Sequence, residues 1–253
     1  MICFKIPHGK PLNRRGISPA VSTAIITTVL LILLAIASAF AINMLEIQAQ
    51  NIEFEQAKTT MLILDKTIID VSLRRGAAST IAFNQRSGGI GIYEGEKMSM
   101  TISCGNLSWN RTITPYIIKY RGGSMVSAVE VNLTDPGGLI VNDPSKPLGY
   151  VRIEVEDGAW IVLDYNRVRV TINKRLGTMD VYFIRLKPGV FADSDTVTVR
   201  AQNKGINMET MQLGSSAHAH IYVRVGGHEG AFTSDVAIST INVIEVIIEV
   251  SIT

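Results

Sequence analysis

From Ile17 to Leu45 the chain carries no charged side chain. A bilayer's hydrocarbon core needs about 20 apolar residues in helical conformation, and this run exceeds that. Leu30, Leu31, Ile32, Leu33 and Leu34 lie near its centre. A buried helix of a soluble domain rarely stays charge-free on every face over such a length, so 20–45 reads as a transmembrane segment. Lys5, His8, Lys10, Arg14 and Arg15 precede the run, and the first charges after it are Glu46, Glu53 and Glu55. Excess positive charge stays cytoplasmic, which places the N-terminus inside and everything beyond Leu45 outside. Ala37-Ser38-Ala39 offers a secretory cleavage site, but the run is longer than a signal's apolar core and helix-compatible sequence continues past it.

Beyond Leu45 the pattern changes without breaking. Phe54, Ala57, Met61, Leu64, Ile68 and Val71 recur at intervals of three and four, the spacing of one apolar helix stripe. Gln48, Gln50, Glu55, Lys58, Asp65 and Asp70 are assigned to the other faces. No Pro or Gly interrupts the chain between Ala20 and Arg75, and Gly76 can end the helix. The predicted element runs from Ser18 to Arg75, on the order of 85 Å at about 1.5 Å per residue. The stripe from Phe54 to Val71 is expected to pack on the domain that follows. The segment from Ile17 to Leu45 is expected to face lipid or sister helices, with Ala24, Ala35, Ala37, Ser38, Ala39 and Ala41 permitting close helix approach.

From Ser79 onward short alternating runs are broken by Gly, Asn, Asp and Pro. Strands are predicted at 81–83, 90–93, 98–102, 112–120, 150–155, 160–164, 167–172, 179–186, 196–201, 208–212, 218–225 and 241–252. Arg121-Gly122-Gly123, Asp135-Pro136-Gly137-Gly138 and Arg224-Val225-Gly226-Gly227 read as turns, and Gly88-Gly89-Ile90-Gly91 as a hairpin turn. Strands this dense without intervening helices predict an antiparallel β-sandwich, and the fold class is α+β: one long N-terminal helix, then the sandwich.

The formal net charge of +2 supplies no field for nucleic acid, and the basic residues do not cluster on one helix. The two cysteines, Cys3 and Cys104, show no zinc-site spacing. No nucleophile elbow, phosphate loop or metalloprotease motif is present, so no catalytic residue and no cofactor are expected. His218 and His220 would share one strand face, with His228 and Glu229 nearby; a solvated strand face accounts for them better than a metal site does. Asp193-Ser194-Asp195 lacks the rest of a calcium loop and reads as a surface turn. Three glycosylation sequons begin at Asn106, Asn110 and Asn132, all in the part expected outside.

Arg14-Arg15-Gly16-Ile17-Ser18-Pro19-Ala20 sets a basic pair and a Gly directly before the apolar run. This resembles the class III signal peptide of archaeal type IV pilins and archaellins. The resemblance implies cleavage between Gly16 and Ile17 by a membrane prepilin peptidase, with the hydrophobic helix kept on the mature protein. The fifth mature position, a Glu in bacterial pilins, is Val21 here. The stretch from Phe83 to Arg169, with Tyr120-Arg121-Gly122-Gly123-Ser124 and Leu163-Asp164-Tyr165-Asn166-Arg167-Val168, is similar to an uncharacterised family of archaeal pilin-like membrane proteins. The expected organisation is a prepeptide at 1–16, a long helix at 17–75 and an extracellular β-sandwich at 76–253. The resemblance implies a structural subunit of a surface filament used in adhesion, whose partners are membrane lipid, prepilin peptidase and copies of itself or related pilins. The alternative is a membrane-anchored β-domain that does not polymerise.

Overall fold

The computed structural model describes residues 19–135, 137–192 and 197–253. A single helix, α1, spans Pro19–Ser72 and opens on a proline, whose missing N–H costs nothing in the first turn. Two compact units divide the chain after Glu46.

In the first unit α1 carries no charge from Pro19 to Leu45, and no residue of its most apolar 18-residue window is buried. Its hydroxyls do not call for water. Thr27 and Thr28 donate to the carbonyls of Thr23 and Ala24 at 2.9 Å, and Ser38 to that of Leu34 at 2.8 Å. Folding these O–H groups back onto their own helix makes this surface more compatible with hydrocarbon. The helix is long and apolar enough to cross a membrane.

In the second unit α1 ends three residues earlier than the sequence suggests. Asn203 reaches in and donates its side-chain amide to the carbonyls of Val71 and Ser72, at 3.2 and 3.1 Å. These are carbonyls that a helix end leaves without partners, so a buried asparagine from a distant strand caps the helix.

The β-domain contains three sheets. The central one has six strands in the order β1 (Ala78–Phe83), β12 (Val197–Ala217), β15 (Ile238–Ile252), β11 (Thr178–Phe191), β10 (Val168–Asn173) and β7 (Ile140–Val141). A five-stranded sheet runs β2 (Gly89–Glu94), β5 (Tyr116–Arg121), β9 (Ala159–Asp164), β8 (Tyr150–Val155) and β6 (Val131–Asn132). A four-stranded sheet runs β14 (His228–Thr233), β13 (Ala219–Val225), β3 (Met98–Cys104) and β4 (Leu107–Ile113). Pairing is antiparallel except for β11 with β15 and β10 with β7, which are parallel. The class is α+β with a mostly antiparallel sandwich-like domain.

The long strands β11 and β15 serve two cores on opposite faces. Side chains alternate across a strand, so a change of parity is a change of face. Met179, Val181, Phe183, Ile241 and Val243 pack with the four-stranded sheet. Ile184, Leu186, Val246, Ile248 and Val250 pack on the other face with the five-stranded sheet and with α1. There the helix contributes Phe54, Ala57, Met61, Leu64, Ile68 and Val71, the stripe expected from the sequence.

Several local expectations change. The strand predicted at 112–120 is two strands: Pro115 lies between β4 and β5, which belong to different sheets. The runs at 196–201 and 208–212 are one strand, β12, with register shifts between Asn203 and Gly205 and between Gln212 and Ala217. Gly88-Gly89 does not form a hairpin turn, because β1 and β2 on either side lie in different sheets.

Candidate functional site

Three buried polar side chains on α1 mark where the helix is clamped to the β-domain. Glu53 is 6% exposed. Its carboxylate accepts from the backbone amides of Arg86 and Gly88, each at 3.0 Å, and of Ser87 at 3.1 Å. The Ser87 and Tyr120 hydroxyls donate to it at 2.6 and 2.8 Å. Successive N–H groups of one loop form an anion-binding concavity, here filled by a side chain of the same protein. Burial pushes the Glu53 carboxyl up, but the bonds from Ser87, Arg86, Gly88 and Tyr120 outweigh it and hold the pKa at about 2. The Tyr120 phenol is driven well above its ordinary value by burial and by that carboxylate.

One turn away, Gln50 accepts from the Met125 amide at 2.9 Å. The backbone passes so close that a Cβ on Gly123 would lie 2.4 Å from Gln50 Oε1. Three turns along, Asp65 accepts from the Tyr165 hydroxyl at 2.7 Å. A Cβ on Gly149 would lie 1.7 Å from Asp65 Oδ1, so glycine lets the bend leading into β8 approach the helix this closely. Burial raises the Asp65 pKa, against the Tyr165 hydrogen bond and the positive charge of Arg167. Gln50 and Asp65, assigned to faces other than the apolar stripe from the spacing alone, are buried beside it. The segments Tyr120–Ser124 and Leu163–Val168 supply both tyrosine clamps.

A second polar centre joins the four-stranded sheet to the central one. Glu245 on β15 is fully buried, with Arg111 of β4 and Arg185 of β11 each at 2.8 Å. Arg111 also meets Glu209 of β12 at 3.3 Å, and the Trp109 indole donates to Glu209 at 2.9 Å. A buried carboxylate flanked by two guanidiniums is a structural tie.

Between the five-stranded sheet and the β13–β14 hairpin lies a cleft of about 520 Å³, lined in part by Tyr150, Arg152, Asp164, Asn166, Arg167 and His228. Arg152 forms a short ion pair with Asp164 and donates through Nε to Glu154 at 2.7 Å. Arg167 is 4% exposed. It donates through Nη1 to the Asp135 carbonyl at 3.1 Å, and its guanidinium carbon sits 4.4 Å from the Tyr150 ring centre. Burial lowers the Arg167 pKa, against the charge of Asp164. The Asn166 backbone N–H donates to Asp164 Oδ1 at 3.3 Å, while its side-chain oxygen is buried without a hydrogen-bond partner among the described residues.

No family model, curated protein or solved structure matches this chain.

The residues singled out from sequence fall as follows. Asn106, Asn110 and Asn132 are exposed. Asn110 sits mid-strand on the outer face of the edge strand β4, opposite Thr101, and Asn132 accepts a hydrogen bond from the Tyr150 hydroxyl. His218 and His220 each bond through Nδ1, to the Ser234 carbonyl and the Thr233 hydroxyl, both at 2.9 Å. No group of three potential metal ligands occurs among the described residues. Gly16, Ile17 and the Asp193-Ser194-Asp195 turn lie outside the described residues. Sequence reasoning missed Glu53, Arg152, Asn166 and Arg167 as site residues. The available signal was a carboxylate at position 53, one residue before the apolar stripe begins.

Proposed function

We propose that this chain is a pilin-like structural subunit: a β-domain displayed outside the cell on an N-terminal helix that inserts into the membrane and then into a filament core. The observation that carries the reading is the split character of α1. Its first part is apolar on every side and suits lipid or sister helices. Its second part is held to the β-domain by the stripe from Phe54 to Val71 and by the Glu53, Gln50 and Asp65 clamps. A domain built around the distal half of its own anchor is suited to transmitting load from filament to surface. The basic flank with Arg14-Arg15-Gly16 supports processing by a prepilin peptidase, and exposed Asn106, Asn110 and Asn132 are compatible with glycosylation of the displayed face.

Mass spectrometry of the protein from its native membrane tests the reading: a mature N-terminus at Ile17 and recovery in sheared surface filaments are expected. An N-terminus at Met1 or Phe40 overturns it. Val21 at the fifth mature position favours a second reading, in which the same anchor displays the domain as a monomer. Cleaved protein held in the membrane fraction and missing from sheared filaments would select that reading.

A further inference from the structure

We propose that the Arg152–Asp164–Arg167 cleft binds a neutral polyhydroxylated ligand, a saccharide, through Arg167 and Asn166. The proposal is independent of whether the chain polymerises. Two features of the cleft are otherwise unexplained. Arg167 is almost completely buried, yet its hydrogen bond goes to a neutral carbonyl and no carboxylate lies within ion-pair distance among the described residues. Asn166 Oδ1 is buried with no partner among them. Burying an amide oxygen with its capacity unused is costly. A ligand that bonds it, and that also meets the Arg167 guanidinium lining the same cleft, recovers that cost.

The charge balance selects the ligand class. Four carboxylates, Glu96, Glu154, Asp164 and Glu229, line the cleft against the guanidiniums of Arg152 and Arg167. Arg152 is already paired to Asp164 and Glu154. The lining is net negative, so a free anion is repelled, while the deeply placed guanidinium opposes a cation. Hydroxyls escape both penalties. One can accept from the Arg167 fork, and its vicinal neighbour can donate to Asn166 Oδ1. The volume of about 520 Å³ lies in the range of small-ligand sites. The Tyr150 ring adds a flat apolar surface of the kind a sugar's C–H face covers.

The test is saturation-transfer NMR on the full-length protein in a detergent without a sugar headgroup, using the methyl glycosides of glucose, galactose and mannose. At least one glycoside should show transfer. Arg167→Lys, which keeps the charge and loses the fork, should weaken it by about tenfold or more. Asn166→Leu should weaken it similarly, and it decides the matter should Arg167→Lys fail to fold by circular dichroism. Three results overturn the proposal: no transfer from any of the three glycosides; transfer unchanged in a folded variant; or a response confined to a charged probe, glucuronate or methylammonium.

Discussion

The two halves of α1 have the same backbone and much the same appetite for apolar residues, yet they are built for different solvents. In the first half Leu30 to Leu34 are all exposed, and hydroxyls fold back onto the helix. In the second half only the apolar residues of one stripe are buried, while Ile52 and Ile63 lie outside it, at 58% and 50% exposure. The second half also buries Glu53 and Asp65, carboxylates of a kind that the run from Ile17 to Leu45 does not carry at all. Hydrophobicity alone does not distinguish an anchor from a docked helix; what distinguishes them is whether polar groups are absent or individually matched.

The largest expected effect comes from the docked stripe. Leu64→Ala should cost about 2–5 kcal/mol of domain stability, since Leu64 is completely buried and its neighbours cannot all collapse. Ile63→Ala, one residue away, should stay within about 0.5 kcal/mol. Thermal unfolding in detergent, followed through Trp109 and Trp160 in the β-domain, measures both. Equal losses would mean the stripe is not the docking face.

The anchor half should respond to charge instead. Leu33→Arg at the centre of the run should cost about 2.5–3.5 kcal/mol of membrane insertion. Alkaline extraction of membranes should release the variant while retaining the parent and an Ile52→Arg control. Retention of Leu33→Arg to the same degree would remove the distinction between the halves.

The clamps sharpen the contrast through pH. The folded pKa of Glu53, about 2, lies below the ordinary glutamate value of 4.5. Its contribution is therefore complete above 4.5 and is lost as pH falls from there toward 2. The Asp65 pKa is raised above 3.8, so its contribution is greatest below 3.8 and declines as pH rises through the folded value. The two oppose each other on acidification. Glu53→Gln should lower stability by about 1–3 kcal/mol at neutral pH, because it sets an amide N–H against backbone donors. It should also flatten the acid decline. Asp65→Asn should leave neutral stability unchanged or higher and make the acid decline steeper. Midpoints of urea unfolding at pH 7 and pH 3 decide between these signs.

How much of this was legible in the sequence follows from which forces are local. The charge-free run and the stripe from Phe54 to Val71 are periodicities of one element, and the structure keeps every stripe residue buried. The strand breaks at Pro115 and the cap by Asn203 depend on partners more than a hundred residues away in the chain, or on which sheet a strand joins. The cleft was invisible for the same reason. Arg152, Asn166 and Arg167 read as ordinary polar positions until β8, β9 and the β13–β14 hairpin bring them to one wall.

The smallest effect belongs to Glu55, and it is the sharpest control, because it puts the same side chain two positions from Glu53. Two residues along a helix is a rotation of about 200°, which carries Glu55 away from the Arg86–Gly88 loop into solvent. There it meets Lys58 at 2.6 Å, with its own side chain 68% exposed. An exposed pair at this spacing contributes about 0.3–0.5 kcal/mol, and salt screens it. Glu55→Gln should therefore shift stability by no more than that, and the shift should vanish at about 1 M salt, where the screening length falls to about 3 Å. The loss from Glu53→Gln should persist at the same salt, because its partners are backbone amides and hydroxyls packed around a buried carboxylate. A common salt dependence for the two variants would show that Glu53 acts as one more surface charge and that the clamp does not hold the helix.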